Sequence, residues 1–558
     1  MSSLSGSTPP PDEKVEWNPP EDKYGERLKR IILEDDAIAL EQYLAPFHHR
    51  RVMPCTFGNP NPWETAIYYG KFEVLRVLMK YVGYKYRYDG EWPVDDGYPD
   101  RRYLFHKACQ QCHVDIIHFL LKLFGPEVAR RRAPDDDGCT PILLVCRAIG
   151  ARPEAPRGMT IEKHLARCEA LVELLLDLGA DASDRYVSDG GGVLTATTLS
   201  YAAELAPSSL IALLLDHGAD INARVKYEAV GGGVGNSTLL HIATRNLNAD
   251  VVRFLLERPE GRAMASVRDD EGRTPLHCLA TRRACHERTS RAHYPFQDRA
   301  QFVRRAVEIA EALLPYSDLE APGGPEGKTP LFLVSEFSDW SHEENEPPSW
   351  DAVPRFFLDR GADPTTTDKE GNTALAALVR RRPFDPAAEL LEHFVKCGAP
   401  VDTTDRDGNT LLHMALKGGH KVETVRFLLY HGVRADACNK DGDTPVHLAA
   451  AMHKGLLVGL PTPADPVYHE WEGFGRRHKE HIEGQGQILD LLVGPDGDPA
   501  VYDFPDRAGR TPRQIRDRIT GENRREAECI VARRRMEASV VVVGTTSTVL
   551  FVAPSIKS

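Results

Sequence analysis

The first cluster of reactive side chains in the sequence has the spacing of a haem attachment site. Cys109, Cys112 and His113 form the C-x-x-C-H pattern through which c-type haem is linked to a protein. The same residues, however, fall on a predicted helix of a repeated unit, in which alanine and histidine recur at fixed places. We therefore expect packing groups at this position and no haem.

Nitrogen and sulfur donors of the kind that zinc prefers cluster later in the chain. They are His277, Cys278, Cys285, His286 and His293, followed by a second group at His469, His478 and His481. The first group matches no regular zinc finger, and His277 also belongs to a repeated histidine position. In the second group, His469-Glu470 lacks the further histidine, three residues after the glutamate, that a zinc-protease helix requires. We therefore expect no metal site.

Glycine-rich segments suggest nucleotide binding but fail its other requirements. Gly327-Lys328-Thr329 resembles the end of a phosphate-binding loop, yet the glycine needed five residues earlier is Pro322. The glycine runs at 190–192 and 231–235 lie in predicted hairpins and not between a strand and a helix. Neither a Gly-x-Ser-x-Gly elbow nor a kinase signature occurs. We expect no cofactor and no catalytic residues, and an enzyme with its chemistry in inserted segments is a less favoured alternative.

The stretch from Asp407 to Asn439 shows the element that organises the rest of the chain. Thr410 precedes apolar residues and caps a helix through its hydroxyl, and Gly418-Gly419 ends that helix in the left-handed conformation. A second apolar helix follows from Val422, and a turn-rich segment closes on Asp441-Gly442, a strong hairpin dipeptide. The same pattern then starts again. The sequence thus predicts helix-turn-helix units joined by hairpins.

This unit resembles the ankyrin repeat, in which Thr-Pro-Leu-His-x-Ala opens the first helix and Gly-Ala-Asp follows the second. Close matches are Thr274-Pro-Leu-His277, Thr238-Leu-Leu-His241 and Gly361-Ala-Asp363. Positions matching the motif's threonine recur at Asn61, Tyr103, Thr140, Thr197, Thr238, Thr274, Thr329, Thr373, Thr410, Thr444 and Thr511. With an N-terminal cap this predicts about twelve units. The resemblance implies that one repeated histidine hydrogen-bonds neighbouring backbone, at His106, His241, His277, His413 and His447.

Two units depart from the pattern at the glycine that ends the first helix. Cys112 takes this place in the unit opened by Tyr103, and Arg382 takes it in the unit opened by Thr373. Since a helix commonly ends in a left-handed residue that favours glycine, the boundaries of these two units are less regular.

The predicted fold is an all-α ankyrin-repeat solenoid of stacked helix-turn-helix units joined by β-hairpin loops. Its predicted parts are a disordered Ser/Pro-rich leader at 1–22, a capping helix pair at 23–60, the repeat array at 61–535 and a low-charge, β-prone tail at 536–558. Predicted inserts lie at 81–100, 148–163, 182–196, 223–236, 281–304, 338–350 and 454–486. Because inserts at equivalent places in a regular stack emerge on the same edge, the array is expected to present two decorated edges.

Composition indicates a globular protein. The 558 residues are 42% apolar and 27% charged, without an unbroken apolar run long enough to span a membrane. Eleven cysteines with no regular spacing indicate thiols in a reducing compartment. We therefore expect a soluble protein in the cytoplasm or nucleus. The net charge of -13 disfavours nucleic acid as the main partner, although the arginine-rich end at 510–535 leaves open a nuclear or nucleic-acid-associated regulator.

The resemblance implies a non-catalytic adaptor or scaffold that binds other proteins through hairpin tips, the concave first-helix face and inserted loops. The candidate binding residues are Lys369, Glu370, Arg406, Asp407, Lys440 and Asp441 at hairpin tips, Arg245 and Lys417 on first helices, and Trp340 and Trp350 in an acidic insert. We expect Arg245 and Lys417 to point away from the core. We expect the two tryptophans to be exposed anchors, since tryptophan is enriched among binding hot spots, although the alternative is that the acidic insert is neutralised by an arginine-rich insert or stays solvated.

Overall fold

Helices dominate the described part of the chain. The computed structural model describes residues 26–45, 62–82, 101–132, 138–151, 160–187, 195–229, 232–280, 299–337, 349–381, 387–417, 422–451, 487–493 and 503–518. The chain divides into two compact units, Met1–Asp318 and Leu319–Ser558. The first is called unit 1 and the second unit 2.

Unit 1 contains two rows of helices. Its helices are α1 (Glu26–Glu34), α2 (Ala37–Leu44), α3 (Pro62–Tyr68), α4 (Phe72–Val82), α5 (Arg101–Gln110), α6 (Val114–Phe124), α7 (Pro141–Ala151), α8 (Ile161–Asp177), α9 (Thr198–Leu205), α10 (Ser208–Asp216), α11 (Leu239–Arg245), α12 (Ala249–Leu256), α13 (Pro259–Met264) and α14 (Arg299–Leu313), with 3-10 turns at Pro126–Arg130, Pro275–Leu279 and Leu314–Tyr316. The row of first helices runs from α1 through α3, α5, α7, α9 and α11 to the turn Pro275–Leu279, each packed on the next. Second helices pack behind them, α2 on α4, and α10 on α12 and α12 on α14.

Unit 1 also contains a small antiparallel sheet. Its strands are β1 (Arg185–Val187), β2 (Thr195–Thr197), β3 (Val225–Ala229) and β4 (Gly232–Ser237), paired in the order β1-β2-β3-β4. They lie in the predicted hairpin inserts 182–196 and 223–236, so the expectation of an all-α fold is wrong here. These inserts carry β-branched and glycine residues that suit strands and tight turns, and their length lets one hairpin pair with the next.

Unit 2 repeats the two-row arrangement more regularly. Its helices are α15 (Pro330–Glu336), α16 (Ala352–Asp359), α17 (Ala374–Arg380), α18 (Ala388–Lys396), α19 (Leu411–Lys417), α20 (Val422–Tyr430) and α21 (Pro445–Ala451), with a 3-10 turn at Ser349–Asp351. First helices α15, α17, α19 and α21 pack in sequence, and second helices α16, α18 and α20 pack in a parallel row. Leu412, Ala415, Val425 and Leu428, which the apolar periodicity assigns to the core, are fully buried between the rows.

Threonines begin the first helices, as the spacing predicts. The hydroxyl oxygens of Thr329 and Thr373 accept the backbone N–H groups of Phe332 and Ala376, which satisfies donors that have no partner within the helix. Two predicted openings differ. Tyr103 lies inside α5, which begins at Arg101, and Thr274 opens a 3-10 turn and not an α-helix.

The substitution of cysteine for glycine at the end of α5 is explained by backbone conformation. Cys112 has a φ of 53°, in the left-handed region that glycine normally occupies there. The left-handed turn at the end of the helix is therefore kept, although this conformation is less favourable for a residue with a Cβ than for glycine. Arg382, the other departure, lies outside the described residues.

Regular structure extends into several predicted inserts. Helix α14 begins at Arg299, inside the segment 281–304, and α7 and α8 cover both ends of 148–163. The predicted leader at 1–22, the tail at 536–558 and the insert at 454–486 lie outside the described residues. The capping pair predicted at 23–60 corresponds in its described part to α1 and α2.

Candidate protein-binding surface

Three successive hairpins of unit 2 share one side-chain arrangement at their base. Asp368 Oδ1 accepts the backbone N–H groups of Glu370 and Asn372, at 2.9 and 2.8 Å. The same two-bond pattern recurs at the loops that begin at Asp405 and Asn439, with distances of 2.9 Å. A side chain that accepts N–H groups two and four residues ahead fixes the turn without help from a strand ladder. We call this arrangement the Asx loop.

Neighbouring hairpin tips in unit 2 are joined to one another. The N–H of Lys369 donates to the carbonyl of Glu326 at 2.8 Å, and the N–H of Lys440 donates to the carbonyl of Asp407 at 2.8 Å. The guanidinium of Arg406 spans the intervening gap by donating to the carbonyl of Lys369. The tips from Glu326 to Asp441 therefore form one continuous strip, which we call the tip strip.

Close packing at the last hairpin of the tip strip leaves no room for a side chain at Gly442. Gly442 has a φ of 80°, and a Cβ there would lie 2.8 Å from the backbone nitrogen of Arg507. The N–H of Arg507 itself donates to the carbonyl of Asp441 at 3.1 Å. Glycine is thus required both for the turn and for the approach of the following loop.

The tip strip displays pairs of opposite charges. Three successive tips carry a basic residue followed by an acidic one, and all six side chains are exposed: Lys369 and Glu370, Arg406 and Asp407, Lys440 and Asp441. These are the tip residues that the sequence singled out, and the structure brings them together on adjacent loops.

The basic residues of the first two tips also have structural partners. The Lys369 ammonium donates to the carbonyl of Pro325 at 2.7 Å, and Arg406 lies 3.9 Å from Glu370 in addition to its bond to Lys369. By contrast, the side chains of Asp407, Lys440 and Asp441 make no hydrogen bond or ion pair within the described residues. These three side chains are the ones that can be changed without breaking the strip.

Buried histidines fix the hairpins to the first helices, as the resemblance implies. His413 Nδ1 accepts the N–H of Thr410 at 3.1 Å, so its proton must lie on Nε2, which donates to the carbonyl of Asp443 at 2.9 Å. His241 makes the equivalent bonds to Thr238 and to the carbonyl of Arg273 at 3.0 Å. The repeated histidine is thus a neutral bridge between its own helix cap and the next hairpin.

Burial makes these histidines resist protonation. Burial lowers the pKa of His413, against the opposing effect of its bond to the Asp443 carbonyl. Burial likewise lowers the pKa of His241 to about 4, against the bond to the Arg273 carbonyl. A proton on Nδ1 would face the backbone N–H that this nitrogen accepts, so the bridge requires the neutral ring.

Two predicted binding residues are buried, and the prediction is wrong for both. Arg245 is only 2% exposed and its guanidinium lies near the thiol of Cys278, because the last turn of α11 faces the next repeat and not solvent. Trp350 is 3% exposed, packs on Phe337, and donates its indole N–H to the carbonyl of Val334 at 2.9 Å. Trp350 therefore anchors the start of α16 inside unit 2. Lys417 is exposed as predicted, and Trp340 lies outside the described residues.

The segments that resembled nucleotide and haem sites have structural roles in the described chain. Gly327-Lys328-Thr329 forms a hairpin in which the N–H of Gly323 donates to the carbonyl of Lys328. Burial lowers the pKa of Lys328, but its pairs with Glu326 and Glu336 outweigh this and raise it. The ammonium is thus held between two carboxylates and is not presented to a phosphate.

The cysteines of the haem-like segment are packed inside unit 1. Cys109 is fully buried in α5, where burial and the neighbouring thiol of Cys112 raise its pKa. His277, from the first zinc-like group, bridges to Thr274 at 2.8 Å in the repeated histidine position. The other members of that group after Cys278, and the group from His469 to His481, lie outside the described residues.

One cluster escaped the sequence analysis altogether. Cys112, His164 and Cys168 place three possible metal ligands close together inside unit 1. The i,i+4 spacing of His164 and Cys168 on α8 was a visible signal, but nothing in the sequence connected it to Cys112.

Comparison with known proteins locates the repeats in unit 2. A family model described as ankyrin repeats, in three copies, matches residues 382–458. The matched segment includes α18, α19, α20 and α21 and two of the Asx loops, those at Asp405 and Asn439. No curated protein matches the chain. Within the described residues, no helix is long and apolar enough to cross a membrane.

Proposed function

We propose that this protein is a non-catalytic adaptor that binds other proteins through the tip strip of unit 2. Ankyrin repeats generally mediate protein–protein interaction. The observation that carries the proposal is the combination of a fixed base with exposed charges. Each of the three charged hairpins is held by its Asx loop and bonded to a neighbouring tip, whereas the charged side chains at the tips face solvent.

This arrangement suits recognition of a partner with a mixed-charge surface. Basic and acidic side chains repeat along the strip in the same order at three tips. A partner that offers the opposite signs at the same interval would be oriented by the strip as well as attracted to it, because complementary charges set register and speed association. The fixed bases also reduce the conformational entropy lost when the partner binds.

We propose further that the helix pairs outside residues 382–458 are diverged copies of the same unit, giving about twelve in all. The support is the recurrence of the threonine–histidine bridge at Thr238 and His241 and at Thr274 and His277, where the hydrogen bonds repeat those of Thr410 and His413. The two-row packing of helices within each unit points the same way.

The proposed binding surface is tested with a triple charge reversal, Asp407→Lys, Lys440→Glu and Asp441→Lys. These side chains make no bond within the described residues, so folding should be retained. We expect the variant to keep the melting temperature of the wild type but to lose capture of the principal partner from native cell extract, with at least about tenfold weaker binding once that partner is purified.

The control reverses two charges away from the tips, one acidic and one basic. Glu389→Lys and Lys396→Glu lie on exposed positions of the second helix α18, and we expect capture to be unchanged. If the triple variant and the control both retain every partner at wild-type affinity, the tip strip is not the binding surface. Turnover of a substrate by the purified chain, dependent on residues of the strip, would contradict the non-catalytic assignment.

A further inference from the structure

A group of three buried metal-ligating side chains lies in unit 1, away from the hairpin tips. Cys112 occupies the turn between α5 and α6, and His164 and Cys168 lie one helical turn apart on α8, so that they share one face. The thiol sulfurs of Cys112 and Cys168 are 3.2 Å apart, and His164 Nε2 lies 3.5 Å from the sulfur of Cys168. All three ligand atoms lie within 4.8 Å of one another.

The backbone and neighbouring groups fix the direction of these donors. Cys112 is held in the left-handed conformation, and the N–H groups of Cys112 and His113 donate to the carbonyls of Cys109 and Ala108. The imidazole of His164 lies beside the backbone carbonyl of Ala148 and turns its Nε2 toward Cys168.

Two of the three donor–donor distances are close to those around a tetrahedral ion. With Zn–S near 2.3 Å and Zn–N near 2.0 Å, tetrahedral angles place sulfur and nitrogen about 3.5 Å apart and two sulfurs about 3.8 Å apart. The sulfur–nitrogen distance of 3.5 Å already agrees, and the two sulfurs need to separate by only about half an ångström. A sulfur and imidazole donor set selects zinc or Cu(I) over magnesium or calcium.

We propose that Cys112, His164 and Cys168 bind one Zn²⁺ ion, with the fourth position taken by water. Binding replaces the two thiol protons, which are released to solvent, and forms two Zn–S bonds and one Zn–N bond. The ion would tie α8 to the turn between α5 and α6 and so stabilise the middle of unit 1.

The alternative explanation is that the cysteines are ordinary apolar packing groups. Burial alone accounts for the thiols, but not for an imidazole placed in the same pocket. Burying a polar ring costs free energy unless its nitrogens have partners. The Nε2 atom of His164 has the thiol of Cys168 in front of it, and both sulfurs converge on the same point.

Zinc binding by the full-length, reduced chain is the test. The chain is stripped with a chelator and titrated with Zn²⁺ against a competing indicator, and with Co²⁺ as a spectroscopic probe. We expect one equivalent of zinc, and a cobalt complex with thiolate charge-transfer bands and the strong visible bands of tetrahedral Co²⁺. Mg²⁺ in excess should not displace either ion.

Variants separate this site from adventitious binding. His164→Gln and Cys168→Ser should weaken zinc binding by more than about tenfold, since even the loss of an outer-shell partner costs that much. Cys109→Ala removes a buried thiol of the adjacent helix α5 that lies outside the group, and it should leave the affinity unchanged. If a variant does not fold, the cobalt spectrum of the wild type still tests whether the site binds a tetrahedral ion through thiolates.

Several outcomes would overturn the proposal. These are a wild type that retains no zinc, zinc binding equal in the wild type and His164→Gln, preference for Cu(I) with no zinc binding, or a stable Cys112–Cys168 disulfide in protein purified under mild reductant.

Discussion

Two kinds of hairpin satisfy their backbone groups in different ways. The loops at Asp368, Asp405 and Asn439 in unit 2 are short, and one Asp or Asn side chain accepts two of the loop's own backbone N–H groups; the loop at Asp269 in unit 1 has the same two bonds. In unit 1 the hairpins after α8 and α10 are longer and pair with each other as strands β1 to β4. Loop length therefore decides whether the backbone N–H groups of a hairpin bond mainly to a side chain of the same loop or to the backbone of a neighbouring strand.

The contrast has an energetic consequence. A strand ladder distributes its hydrogen bonds over many backbone groups, none of which depends on residue type. An Asx loop concentrates them on one side-chain oxygen, so a single substitution removes the acceptor for several donors at once. Hairpins built on an Asx loop should therefore be more sensitive to polar substitutions than the strand-paired hairpins after α8 and α10.

The largest effect is expected for Asp368→Ala. This carboxylate is 7% exposed and accepts the N–H groups of Glu370 and Asn372 together with the Asn372 side-chain amide. Its loss leaves buried donors without an acceptor and should lower the free energy of unfolding by about 2–4 kcal/mol. Urea unfolding measures the change, with Glu370→Ala as an exposed control that should cost under about 0.5 kcal/mol. Equal losses for the two variants would refute the role of the Asx loop.

An intermediate effect is expected on acidification. An unfolded histidine has a pKa near 6.5, whereas burial lowers the pKa of His413 and takes that of His241 to about 4. Below about pH 6.5 the unfolded chain binds more protons than the folded one, so stability falls as the pH drops and the loss continues to about pH 4 for His241.

A substitution of His413 measures how much this one histidine contributes to the pH dependence of stability. His413→Gln removes one titrating bridge, so the loss of stability between pH 7 and pH 5 should be smaller than in the wild type. His217→Gln, at an exposed position on unit 1, serves as the control. Unfolding measured across this pH range checks the prediction, and parallel curves for the wild type and His413→Gln would contradict it.

The smallest effect is expected in the sheet of unit 1. Thr195 Oγ1 accepts the N–H of Lys226 at 2.8 Å, which adds one side-chain bond between β2 and β3. Thr195→Val should cost about 0.5–1 kcal/mol, because β3 keeps its ladder with β4. Thr195→Ser retains the hydroxyl and should cost less. A loss as large as that of Asp368→Ala would remove the distinction between the two kinds of hairpin.

Local periodic signals were predictable from the sequence because each depends on residues close together in the chain. The threonine caps, the alternation of first and second helices, and the histidine at a fixed distance from its threonine all lie within one unit. Two of the three hairpins read Asp-x-x-Gly-Asn and the third reads Asn-x-x-Gly-Asp, a local pattern that would have been enough to predict the Asx loop but was not used. Its spacing of two and four residues shows which N–H groups the carboxylate would accept.

Predictions of exposure failed where a neighbouring repeat decides the environment. Arg245 follows the apolar face of its helix and Trp350 lies in an otherwise acidic segment, so both were expected to face solvent. In the folded chain the next repeat covers Arg245, and the carbonyl of Val334 receives the indole N–H of Trp350.

The sequence by itself determined the repeating helix pairs, their threonine and histidine bridges and the charged tips, since these follow from hydrogen bonds and apolar faces over short separations. Only the tertiary structure decided the pairing of two long hairpins into a sheet, the continuity of the tip strip and the meeting of Cys112 with His164 and Cys168. Each of these joins residues from different helix pairs. Their contact depends on how successive helix pairs stack, and that packing is set by the fit of whole helical faces, which no short spacing in the sequence records.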